Sequence, residues 1–310
     1  MPEDEGLFGD EWEQQMSRIL TKSGWQRYGA GKGDFACGRC RTKSGDGARR
    51  HGIDGVYTHL PAYGDDQRPV LLEATRWSWA SLSRDALQKW ADKLLEKLEH
   101  SMESDDFFGR FGVPNGTFIV DALICCWVPD GSYKPVTLDG WVCQLEQRDR
   151  EAPRHVWFAH NERLLWVTAL LEVMEGHRNN PKQELLYFSP PRAGLSSRRQ
   201  ENLALEHMFS DIVFAKGRET VDVLGGTVRD NGYVFYRGRF DASTAGYLYQ
   251  TMLDSNMDES ATITLYRTDD DVHTRNADAE FERLWQTSNS KPVVTCRPLR
   301  ATGLPRWVDE

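Results

Sequence analysis

The chain has 310 residues, 39% of them apolar and 27% charged, and a net charge of −9 at neutral pH. That is enough apolar material for a core of one large domain or two ordinary ones, which excludes a disordered chain. The acidic balance excludes a protein that coats nucleic acid by bulk charge, though a local basic patch on an acidic body remains compatible with it.

The opening "MPEDEGLFGDEWEQ" is acidic and has no apolar h-region, so it does not read as a secretory leader. Residues 9–24 then place Trp12, Met16, Ile19 and Leu20 at helical spacing, with Gly24 as the stop. From Gln26 to Arg50 the chain is glycine-rich and loop-like, with a short strand within 25–30. Seven basic residues stand against two acids there, the most basic stretch in the protein. Two strands follow, "HGIDGVYTHL" and "RPVLLEAT", separated by the turn-like "PAYGDDQ". Residues 81–101 predict a helix whose stripe is Leu87, Trp90, Leu94 and Leu98. "GTFIVDALICCWV" predicts a buried strand, and Asp121 within it argues against a membrane span, as does its length against the ~20 residues a span needs.

Beyond residue 130 the pattern is α+β. "ERLLWVTALLEVMEGH" predicts a helix. "ELLYFSP" and "DIVFAKG" predict strands around a Pro/Ser/Arg-rich loop at 189–200. "TVRDNGYVFYRGRF" predicts a hairpin turning at Asn231-Gly232, a pair suited to a type I′ turn. A helix near 243–255, the strand "ATITLYR", a helix near 277–288 and the strand "PVVTCRP" complete the order. The expected division is a core over 1–130, an extension or connecting region over 131–200, and an α+β domain over 201–310 that binds substrate or partner, with a soft boundary near 195–205.

Asp54 and Glu73 each sit at the end of a strand, where two acids can meet at one hard cation. Glu73 ends the apolar run "VLL", and an ionised acid there is costly unless solvated or bound to a cation. The ordinary alternative is a pair of solvated strand-end charges. Glu13 on the first helix adds a third acid. At this point the sequence resembles the PD-(D/E)XK nuclease superfamily. The shared features are the opening helix "WEQQMSRILTKSGW", then "GID", then "LLEAT", then a helix and a buried strand, over about residues 9–128.

The resemblance implies a restriction-endonuclease-like fold, an α/β (α+β) mixed sheet flanked by helices, here with an additional α+β C-terminal half. It implies that Asp54 and Glu73 hold Mg²⁺ or Mn²⁺, that the carbonyl of Ala74 completes the shell, and that Glu13 is an outer ligand. Thr75 stands where the family has its motif lysine. In some branches the amine comes from the following helix, which here carries Lys89, Lys93 and Lys97 at i, i+4 and i+8. The expectation falls on Lys93, then Lys89. Lys32, Arg39, Arg41, Lys43, Arg49, Arg50 and Arg76 are expected to contact nucleic acid.

Other constellations are weaker. "CGRC" at Cys37–Cys40 has the spacing of half a zinc knuckle, but no second C-x-x-C exists and distant histidine partners would be needed, so Zn²⁺ is not expected. The six cysteines form no disulfide framework. "GAGKGD" lacks the glycine and Ser/Thr of a Walker A loop. Trp77 and Trp79 could stack on bases, with packing the favoured role. The reading is therefore a soluble cytoplasmic Mg²⁺-dependent deoxyribonuclease with no membrane partner. It would be a subunit of a prokaryotic antiviral defence or restriction system, acting with a partner protein or as a homo-oligomer. Its rivals are a non-catalytic module of the same fold that binds protein or nucleic acid, and an RNA-directed nuclease.

Overall fold

What reads in sequence as one strand through Asp54 is two strands of different sheets, and that break organises the first half of the protein. The computed structural model describes residues 3–29, 31–41, 48–146, 154–178, 183–191, 197–221, 227–268, 272–287, 292–300 and 303–309. The chain divides into two units. One is Met1–His59, Gln67–Leu164 and Val308–Glu310; the other is Leu60–Asp66 and Leu165–Trp307.

The first unit begins with helix α1 (Glu3–Lys22), which ends at Gly24 with φ of 86°. Strand β1 (Gln26–Tyr28) is short. Strands β2 (Gly33–Arg41) and β3 (Ala48–Ile53) form a separate antiparallel hairpin, so the expected glycine-rich loop is partly strand. After Asp54 the chain re-enters the main sheet as β4 (Gly55–His59), followed by β5 (Arg68–Arg76). Helix α2 (Arg84–Ser101) starts three residues later than expected, because the Ser83 hydroxyl accepts the Ala86 N–H at 3.2 Å and caps it there. Then come α3 (Asp105–Phe111), β6 (Asp121–Trp127), α4 (Pro135–Cys143) and β7 (His155–Ala159).

The sheet order is β1-β4-β5-β6-β7, antiparallel from β1 to β5 and parallel from β5 to β7. Alternation along the strands sorts the two faces. Val56, Leu71, Ala122, Ile124 and Cys126 enter one core with Leu87, Leu94 and Leu98 of α2 and Phe107 and Phe111 of α3. On the opposite face α1 packs on β5 and β6. The Trp12 indole donates to the Cys125 carbonyl at 3.1 Å, and the Arg76 guanidinium lies over the Trp12 ring. Residues 308–309 return to α1, where Gln15 Nε2 donates to Asp309 at 2.7 Å and Arg18 donates to the Val308 carbonyl at 2.6 Å.

Helix α5 (Asn161–Arg178) leads into the second unit. That unit contains β8 (Gln183–Phe188), α6 (Leu205–Phe209), β9 (Ile212–Val221), β10 (Thr227–Tyr236), α7 (Ala242–Asp254), β11 (Thr262–Arg267), α8 (Val272–Gln286) and β12 (Val293–Pro298). Its sheet runs β12-β11-β10-β9-β8, with Leu248 and Met252 of α7 and Phe281 and Trp285 of α8 packed with Phe214, Val234, Ile263 and Leu265. Among the described residues, no helix is long and apolar enough to cross a membrane.

The expected turn at Asn231-Gly232 is corrected: both residues lie inside β10, paired with β9 on one side and β11 on the other. Asn231 accepts the Thr262 hydroxyl at 2.7 Å, and a Cβ on Gly232 would meet Met257 at 2.7 Å. Glycine serves close packing here, and pairing on both edges overrides the local turn preference.

Gly29, at the end of β1, has φ of +60°, and a Cβ there would lie 2.6 Å from the Phe111 carbonyl oxygen. Neither backbone can yield, so Gly29→Ala is expected to cost about 1–3 kcal/mol, read as a lower thermal midpoint by circular dichroism. Gly109→Ala, on α3 with nothing within 4 Å, is the control that leaves the midpoint unchanged or slightly raised.

Candidate functional site

The site is built where the β4–β5 ladder ends. Gly55 faces Leu72 and Val56 faces Leu71, and Asp54, just before β4, is outside that pairing. Glu73 lies on the face that α2 covers, since Leu71 alternates onto it. Asp54 is held by its backbone and its side chain: its N–H donates to the Leu72 carbonyl at 3.2 Å, and its Oδ2 accepts the Ala74 N–H at 2.7 Å. Glu73 accepts from Lys97 Nζ at 2.7 and 3.0 Å, and both side chains are about four-fifths withdrawn from solvent, at 20% and 19% exposure.

Burial raises the pKa of Glu73 and of Asp54 above the ordinary carboxylate value. The Asp54 charge raises Glu73 further, while Lys97 pulls it back, and the Ala74 N–H does the same for Asp54. Glu13, 12% exposed, is also raised, first by burial and next by the charge of Asp54. The charge of Asp54, at the β3–β4 junction, therefore bears on both Glu13 of α1 and Glu73 of β5, and burial makes each of the three acids gain from a proton or a cation. Arg27 links two of them, with Nη2 3.2 Å from Glu13 Oε1 and 3.3 Å from the Asp54 carbonyl. Lys32 pairs with Asp10 at 2.7 Å and lies 3.8 Å from Glu13.

Thr75 shares the face of Glu73 by strand alternation, and the amine arrives from α2. The structure brings Lys97 to Glu73 rather than Lys93 or Lys89, both exposed and, among the described residues, without a hydrogen bond or ion pair to the acids. All three point along one side of α2, but four residues of helix rise about 6 Å. Height along the axis decides which amine reaches Glu73, and Glu73 lies beneath the last turn and a half.

The basic stretch spreads over the β2–β3 hairpin, where each described charge already has a partner. Arg39 pairs with Glu103, Arg49 with Glu96 at 3.6 Å, and Arg50 donates to the Asp34 carbonyl at 2.7 Å. Such exposed pairs are worth about 0–1 kcal/mol, so they are readily exchanged for phosphate. Arg76 contacts Glu11 and Gln15 of α1 on the face opposite Glu73. Lys43 and the Arg41 side chain lie outside the described residues. Trp77 stacks on Trp90, and Trp79 on Trp141, which gives both a packing role.

A second cluster stands beside the first. Cys37, Cys40, His51 and His100 each offer a ligand atom, all within 4.8 Å of one another. The histidine partners that the sequence left unidentified come from β3 and α2, far from "CGRC" in the chain and invisible to a spacing rule.

Residues 1–148, a little under half of the chain, match a family model described as the GAPS4 protein PD-(D/E)XK nuclease domain. No curated protein matches the chain.

The raised Asp54 pKa sets a stability test in chelator. Below the unfolded value of 3.8 both states hold the proton; above it the unfolded chain releases the proton first, and stability from this group falls until the folded carboxyl ionises. Asp54→Asn cannot ionise and keeps an oxygen for the Ala74 N–H. Its stability advantage over wild type in denaturant melts is expected to be smallest near pH 3.5 and to grow toward pH 7. A variant no more stable than wild type at neutral pH contradicts the buried-charge account.

Proposed function

We propose that residues 1–148, which form a domain of the PD-(D/E)XK nuclease superfamily, are a working Mg²⁺-dependent nuclease that hydrolyses DNA phosphodiester bonds. The observation that carries this reading is the meeting of Lys97 with Glu73, beside Asp54, whose Oδ2 accepts the N–H of the neighbouring Ala74. That supplies an amine and two hard oxygen ligands at one place despite Thr75.

The donor set fits a hard divalent cation: two carboxylates whose pKa burial raises, with the Asp54 charge raising Glu73 further, are relieved by two positive charges. Asp54 and Glu73 would hold the ion, with the Ala74 carbonyl and Glu13 completing its surroundings. When bound, the cation lowers the pKa of water and neutralises charge developing on the phosphate. Lys97 Nζ orients the attacking water and offsets its growing negative charge. The Ala74 N–H fixes one oxygen of Asp54 and so aims the other. Arg27 holds Glu13 against the backbone of Asp54, a positioning role. Lys32, Arg39, Arg49 and Arg50 lead the phosphate backbone toward the acids, a sequence-tolerant contact. The second unit, an α+β body with its own sheet, selects the substrate or docks a partner in a prokaryotic defence system.

Purified protein is incubated with plasmid, linear DNA and RNA, in Mg²⁺, Mn²⁺ or EDTA. Cleavage of DNA is expected only with the metal, and Asp54→Asn and Glu73→Gln are expected to abolish it. Lys97→Ala is expected to lower the rate about 10²–10⁴-fold, while Lys93→Ala and Lys89→Ala stay close to wild type. Equal loss from all three lysine variants, or none from Lys97→Ala, removes the assigned amine. Cleavage of RNA alone overturns the substrate, and no cleavage of any polymer favours a binding module that has lost its motif lysine.

A further inference from the structure

We propose that Cys37, Cys40, His51 and His100 form a four-coordinate Zn²⁺ site that clamps the β2–β3 hairpin to α2. It does not depend on the catalytic reading, because none of the four residues belongs to the acid cluster.

The argument is geometric. Zinc bonds sulfur at about 2.3 Å and imidazole nitrogen at about 2.0–2.1 Å, so the edges of its tetrahedron are about 3.5 Å for S···N and about 3.3 Å for N···N. Cys40 Sγ lies 3.5 Å from His100 Nδ1, and His100 Nδ1 lies 3.0 Å from His51 Nε2. Side chains from three elements thus already hold distances close to those a tetrahedral ion imposes. His51, His100 and Cys37 are 5%, 9% and 1% exposed, so this is an interior arrangement rather than a surface coincidence.

The backbone is shaped to the same end. The β2–β3 ladder loses its register between Ala36 and Arg41, the segment that holds both cysteines. The strand there gives up regular pairing, and the Cys40 N–H donates to Cys37 Sγ at 3.1 Å. Both thiols are free of disulfide. Glu96 stands outside the set, its Oε1 3.8 Å from Cys40 Sγ and its charge answered by Arg49 at 3.6 Å.

Four protein ligands leave no open position, so the ion is structural rather than catalytic. Its place gives it a further consequence. His51 precedes Asp54 by three residues, and His100 follows Lys97 by three. One ion would tie together the two elements that deliver the acid and the amine.

The test is metal content and spectroscopy of the full chain. Elemental analysis of purified protein is expected to find about one zinc per chain, kept by Asp54→Asn and by Cys143→Ser and lost about tenfold in Cys40→Ser and His100→Ala. To separate loss of the ion from loss of the fold, wild-type protein is also stripped and reloaded with Co²⁺. Tetrahedral visible bands with a near-ultraviolet thiolate band are expected. Absence of zinc from wild type, its retention in Cys40→Ser, or a cobalt spectrum that is octahedral or lacks the thiolate band overturns the site.

Discussion

A carboxylate at the end of an apolar strand is the constraint on which the first unit depends. Val70, Leu71 and Leu72 are all buried, and Glu73 follows them with most of its side chain out of water. A buried ion pair gains little over an apolar pair of similar volume, but losing one partner of it is expensive. Glu73 therefore ties Lys97, and with it the axial position of α2, to the sheet. Asp54, close by, sharpens that dependence by adding like charge.

Helix α2 answers several demands at once. The Ser83 cap fixes where it starts, and Leu87, Leu94 and Leu98 fix its rotation about its own axis. Lys97 and His100, one turn apart, then face different clusters: the acids on one side and the hairpin cysteines on the other. The β3–β4 junction mirrors this, with His51 looking toward the cysteines and Asp54 toward Glu73 three residues later. Two chain segments, each bearing one residue for each cluster, make the position of either cluster a condition for the other.

Much of this was legible from local pattern. Alternation along "RPVLLEAT" and helical spacing along 81–101 are short-range signals, and the order of "GID", "LLEAT" and the following helix singles out Asp54 and Glu73 as a pair. The choice among Lys89, Lys93 and Lys97 was not legible, because side-chain angle is periodic in sequence while height over the sheet is set by packing. His51 and His100 escaped notice for a related reason: each is an ordinary element residue whose partners lie in another element. Asn231-Gly232 misled in the opposite direction. Its local preference for a turn is real, but pairing with strands on both sides outweighs it.

The contacts between α1 and residues 308–309 set a schedule for synthesis. Gln15 and Asp309 are 294 residues apart in the chain, so α1 emerges from the ribosome and can dock on its sheet long before that contact can form. The helix bearing Glu13 acquires its final neighbours only when translation of the second unit is done. Once Leu164 has been made, elongation at about 5–20 residues per second leaves an interval of roughly 10–30 seconds in which the nascent first unit exists without this brace.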